Sequence, residues 1–198
     1  LTVVPNSEGV VSVSMSANKF IDLSGNDNVG SNVMTWTHDV TSPSVLLTTN
    51  VSNVDNGTRY NGNVLLNILL SQTSTNNLGT NILTVQNANL SNWTQKSSIE
   101  YEVTLIPIQN NDVMVYIDAG EFTDKAGNNN LRSNEIAWIH DTVRPNVSLI
   151  TNISNVNNGL KYDNNVLLRI LLSELPNNDL TENILTINNA VIQGSSWQ

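Results

Sequence analysis

Short apolar runs alternate along this chain with segments rich in Asn, Gly, Ser and Thr, and no apolar stripe recurs at helical spacing. Val113, Val115 and Ile117 alternate with Met114 and Tyr116, the period of a strand with one buried face. The same period sets Val64, Leu66, Ile68 and Leu70 on one face. Strands are expected at 44–49, 63–71, 81–87, 98–108, 112–118 and 133–139, where Val, Ile and Thr favour the pleated backbone. Asn and Gly clusters between them suit turns, because both residues tolerate positive φ. The expectation is an all-β chain.

The pattern repeats. His38-Asp39 returns as His140-Asp141, a shift of about 102 residues that holds along most of the chain. Pro5 maps onto Pro107, Phe20 onto Phe122 and Trp36 onto Trp138, and the segment from Asn50 to Gln72 returns from Asn152 to Glu174. Read in this phase, residues 1–38 are the C-terminal part of a module, 39–140 a complete module and 141–198 the N-terminal part of the next. Two origins fit that phase: a window from a longer tandem array, or half-modules completed by exchange between neighbouring chains. Six or seven strands in about 100 residues is the strand count of an immunoglobulin-like sandwich.

Composition narrows the functions available. Eight Lys and Arg stand against 17 Asp and Glu, a net charge of -9 that disfavours tracking nucleic-acid phosphates. No apolar run is long enough to span a bilayer, so no membrane insertion is expected in this segment. Cysteine is absent, which removes disulfides, zinc–thiolate sites and thiol nucleophiles together. Charged residues are only 13%, and asparagine, at roughly one residue in six, does much of the solvating.

The segment from Ala119 to Asn128 (AGEFTDKAGN), a Trp-bearing strand, then Asp141 to Pro145 (DTVRP) form an ordered set. The upstream copy carries Asp22 to Asn26 and Asp39 to Pro43 in the same order, and Leu172-Ser173-Glu174 adds a further match. This set resembles the bacterial immunoglobulin-like tandem repeats of large cell-surface adhesins. The resemblance implies sandwich modules in series, an extracellular or cell-surface place, and a structural role as rod, filament or adhesive fibre. Its partners would be neighbouring modules of the same chain and identical chains in a filament. A ligand- or carbohydrate-binding module on such a stalk is the alternative, and Trp93, read as lying in a turn region with Trp197, would be its aromatic platform; packing is the competing reading for both.

Catalytic motifs are missing: there is no G-x-S-x-G, phosphate loop or H-E-x-x-H, and no enzyme activity is expected. His38 and His140 are repeat equivalents at a boundary, read as residues bonded to nearby backbone. No motif in the chain calls for a particular cofactor. Calcium is the one candidate, because Asp22, Asp39, Asp124 and Asp141 are kept between copies and module junctions can gather oxygen ligands. The competing reading is an Asx turn, which Asp124 followed by Gly127-Asn128 is placed to form. Asn50, Asn56, Asn89, Asn92, Asn146 and Asn152 begin N-x-[ST] sequons and would carry glycans only in a secreted eukaryotic protein. Leu65 and Leu69, with Leu167 and Leu171 in the next copy, fall on the face opposite the core pattern. Either a loop covers them or they face another subunit.

Overall fold

The computed structural model describes residues 1–52, 54, 57–154 and 161–194. Among these are strands β1 (Gly9–Val13), β2 (Met34–His38), β3 (Val45–Thr49), β4 (Arg59–Tyr60), β5 (Val64–Leu70) and β6 (Leu83–Gln86). Then follow β7 (Ala88–Gln95), β8 (Glu100–Pro107), β9 (Asp112–Ile117), β10 (Ile136–His140), β11 (Val147–Thr151) and β12 (Leu168–Leu172). The fold is all-β, as the alternating pattern requires, and among the described residues the helical structure is two single-turn 3-10 segments, Thr80–Ile82 and Glu182–Ile184. The chain divides into two compact units, Leu1–Thr142 and Val143–Gln198.

The first unit holds a sandwich of two four-stranded sheets. One runs β3-β5-β8-β7, antiparallel throughout; the other runs β4-β10-β9-β6, with β4 parallel to β10. Their inner faces meet in one core in which Leu47, Leu66, Ile68 and Leu70 join Val113, Val115, Ile117 and Trp138, all essentially without solvent contact. The residues of β5 and β9 are on the expected face of their strands, and burying such a side chain stabilises by about 1.5–3 kcal/mol. The six expected strands are present with ends shifted by up to three residues.

Two strands depart from expectation. β4 is a two-residue strand with no periodic signal of its own. β7 occupies Ala88–Gln95, so Trp93 is a strand residue and not the turn residue expected from the sequence. The sequence ANLSNWTQ hides the strand because its register breaks between Ser91 and Thr94, and Asn92 sits there with φ of 55°. Asn87, at φ 57°, separates β6 from β7 and lets the chain cross from one sheet to the other. Its Nδ2 donates to the Asp112 carbonyl at 2.6 Å and its own carbonyl accepts from Ile108 N at 3.0 Å, which fixes that corner.

Residues 1–38 fold as a local copy of the β9–β10 region. β1 pairs with β2 as Val11↔Trp36 and Val13↔Met34, the register in which Val113 pairs with Trp138 and Val115 with Ile136. In the second unit β11 pairs with β12 as Leu149↔Ile170 and Thr151↔Leu168, the register of Leu47↔Ile68 and Thr49↔Leu66. Trp197 lies outside the described residues.

Candidate functional site at the segment junctions

The segment joining residues 1–38 to the sandwich is held from both sides. From the preceding segment, Glu8 Oε1 accepts from Val40 N at 2.9 Å and from Thr41 Oγ1 at 2.7 Å. From the sandwich, Asn128 Nδ2 donates to the Asp39 carbonyl, Gln72 Nε2 to the Thr41 carbonyl and Leu131 N to the Pro43 carbonyl, at 3.2, 3.0 and 2.8 Å. Pro43 itself is buried and limits the remaining freedom of the segment. The bonds to Glu8 hold its carboxyl below the usual carboxylate range, Thr41 contributing most, then Val40, with His38 adding a favourable charge.

The next linker is held in the same way from its preceding segment. Asn110, the repeat equivalent of Glu8, accepts through Oδ1 from Thr142 N at 2.9 Å and Thr142 Oγ1 at 2.8 Å. Asp141 pairs with Arg59 at 2.5 Å, and its N–H donates to the Tyr60 carbonyl at 3.2 Å. Because the Arg59 side chain is mostly exposed, the ion pair adds little stability beyond geometry. His140, nearly buried, sits with Nδ1 at 3.2 Å from the Tyr60 carbonyl, the backbone-bonded boundary role expected of it.

Asp22 and Asp124 occupy equivalent turns. Asp124 Oδ1 accepts from Ala126 N at 2.8 Å and Asn128 N at 2.9 Å, while Oδ2 accepts from Asn128 Nδ2 at 2.9 Å. Gly127, at φ 94°, closes the turn with an N–H to the Asp124 carbonyl at 3.3 Å. Burial pushes the Asp124 carboxyl up, and the bonds from Asn128, Ala126 and Gly127 outweigh it and leave it below the usual carboxylate value. Asp22 is likewise held low, first by the Asn26 backbone, then by the Asn26 side chain and Ser24. Asp39 and Asp124 are thus joined through Asn128, whereas Asp141 is engaged with Arg59. Among the described residues no three His, Asp or Glu side chains group as metal ligands would.

The remaining candidates are spread out. Asn50 and Asn152 use Oδ1 to accept from Leu65 N and Leu167 N, each at 2.9 Å, so both pin the start of a strand. Asn89, Asn92 and Asn146 are exposed, and Asn56 lies outside the described residues. Trp93 packs at the edge of the core with its ring 5.4 Å from Tyr101. Leu69 stands exposed beside its cross-strand neighbour Leu46, while Leu65 is half-buried; Leu167 and Leu171 are exposed in the second unit. The junction residues Glu8, Asn110, Asn128 and Gln72 escape sequence reading, because their partners lie more than 30 residues away. The one available signal is that Glu8 and Asn110, both acceptors, occupy the same repeat position.

The model of the bacterial Ig-like domain matches residues 39–138, from the clamped linker to the strand that carries Trp138. The chain belongs to this family. Bacterial Ig-like domains serve as structural or surface modules, are often found in surface or extracellular proteins, and are typically non-enzymatic. No curated protein and no solved structure matches the chain.

Proposed function

We propose that this chain is a stretch of a tandem array of bacterial Ig-like modules that extends a large cell-surface protein outward as a rod or adhesive fibre. In this reading residues 1–38 close one module, 39–140 form a whole one and 141–198 open the next. The observation that carries it is the doubly held linker, in which Glu8 on one side and Asn128, Gln72 and Leu131 on the other fix residues 39–43. Short linkers bonded at successive positions transmit orientation from module to module, as a flexible polar linker does not. The chemistry of the site is therefore mechanical. Its bonds direct a sequence of sandwiches rather than transform a ligand.

The test is negative-stain imaging of the native protein that carries this chain, together with antibody labelling of intact cells. Rods with a regular module spacing and labelled cell surfaces are expected. Compact particles, or labelling only after lysis, would overturn the reading.

A further inference from the structure

Asn61-Gly62 stands between β4 and β5, with Asn61 exposed and Gly62 half-buried. Asparagine is chemically labile, most of all before glycine. With no side chain on the second residue, its backbone nitrogen turns readily onto the asparagine Cγ. The same pair occurs at Asn56-Gly57 and Asn158-Gly159. Asn56, Asn158 and Gly159 lie outside the described residues, but Gly57 is described, and its N–H donates to the Ala137 carbonyl of β10 at 2.8 Å. Gly62 N has no hydrogen-bond partner among the described residues. The nitrogen that would attack Asn56 is thus held by β10, whereas the one that would attack Asn61 is available.

We propose that Asn61 is a site of self-modification, at which the folded chain passes through a succinimide to aspartyl and isoaspartyl forms. Base removes the Gly62 amide proton, and the nitrogen attacks Asn61 Cγ. The N–Cγ bond forms, the Cγ–Nδ2 bond breaks, and Nδ2 leaves as ammonia after taking a proton from water. A second water opens the ring at either carbonyl carbon. Opening at Cγ gives aspartate; opening at the main-chain carbon gives isoaspartate, whose backbone runs through Cβ and Cγ. The net change is hydrolysis of the side-chain amide, with water consumed and ammonia released.

The two products differ in what they do to the fold. Aspartate suits the position, because the next copy of the repeat carries Asp163 there, followed by Asn164. Isoaspartate lengthens the backbone by one carbon directly after β4. That strand is short, and it is held to β10 by the pairs Ile139↔Arg59 and His140↔Tyr60. Ile139 N donates to the Thr58 carbonyl at 3.0 Å and Asp141 N to the Tyr60 carbonyl at 3.2 Å. The Tyr60 ring also lies close over Gly62, where a Cβ would meet it at 3.0 to 3.2 Å. An added carbon between Tyr60 and Gly62 displaces one from the other and draws β4 away from β10. The linker that begins at Asp141 then loses part of its anchor. The inference rests on the bonding of two glycine nitrogens and is independent of the surface role proposed above.

The test ages the whole chain in mildly alkaline buffer, both folded and in denaturant. Peptide mapping follows Asn56 and Asn61, with fragmentation that separates aspartyl from isoaspartyl products. In the folded chain Asn61 is expected to convert several-fold faster than Asn56, and in denaturant the two are expected to convert alike. Hydrogen exchange on the aged folded chain should show lost protection at Ile139 and Asp141. Asn61→Gln, which keeps an amide but disfavours the ring, should prevent that loss, and freshly made Asn61→Asp should not reproduce it. An unconverted Asn61, equal rates in the folded chain, or a difference that survives denaturant would each overturn the proposal. The anchor would be ruled out as its target by the same loss of protection in aged Asn61→Gln or in fresh Asn61→Asp, or by no loss in the converted chain.

Discussion

Trp138 is 1% exposed and its repeat equivalent Trp36 is 38% exposed; for Phe122 and Phe20 the values are 4% and 58%, and for Leu47 and Leu149 they are 1% and 56%. The local structure around these pairs is nevertheless the same. Asn130 Oδ1 accepts from Phe122 N at 2.9 Å, and Asn28 Oδ1 from Phe20 N at 3.0 Å. Both hairpins keep one register, and both Asp turns close with the same bonds. Hairpins and Asx turns are therefore specified by residues close in sequence, while burial is specified only when the second sheet is present. Strands follow the same rule. β3 and β5 lie in one half of the repeat, and their counterparts β11 and β12 form; β4 and β6 pair only with β10 and β9, and the counterparts of β4 and β6 are not strands in the second unit.

The strongest way to break this comparison is to truncate the paired tryptophans. Trp138→Ala should cost the sandwich about 3–5 kcal/mol, whereas Trp36→Ala should move the same transition by less than about 0.5 kcal/mol under monomeric conditions. Denaturant unfolding measures both, and equal losses would show that residues 1–38 share the core. Asn130 comes next. It is buried, and besides Phe122 N it donates through Nδ2 to the Asp118 carbonyl at 2.7 Å and the Leu131 carbonyl at 2.9 Å. Asn130→Ala should cost about 1–3 kcal/mol by stranding those groups, and Asn28→Ala only a few tenths, because water reaches its partners.

The third test is acid. A carboxyl held below its unfolded value contributes stability that is fully present above that value and is lost as pH falls through the folded one. Asp124 belongs to this class, so Asp124→Asn should flatten the acid limb of a stability–pH profile between neutral and strongly acidic pH. Asp22→Asn should leave the profile of the sandwich unchanged although Asp22 is shifted in the same direction. The smallest effect is expected at Leu69→Ser, within about 0.5 kcal/mol in thermal melts, since Leu69 is exposed on the outer face.

Legibility followed the same division. The inward residues of β5 and β9 were readable because a period of two is imposed on each strand by its own core face. The Asp124 turn was readable because its donors are within four residues. β7 was not, since a bulge and a left-handed asparagine break the alternation of an already polar edge strand. Nor was the clamp on residues 39–43, whose partners are brought in by tertiary folding. Exposure was the least readable property of all, because Trp36 and Trp138 have closely similar neighbours in sequence and differ in what lies across the sheet.

The contacts that Glu8 and Asn110 make to the linkers after them are alike in place and unlike in titration. At Glu8 the acceptor is a carboxylate, stabilised as an anion by Thr41 and Val40; at Asn110 it is an amide with no proton to gain. Acidification therefore weakens the contact that Glu8 makes and spares the one that Asn110 makes, so that the glutamate position alone couples this contact to pH.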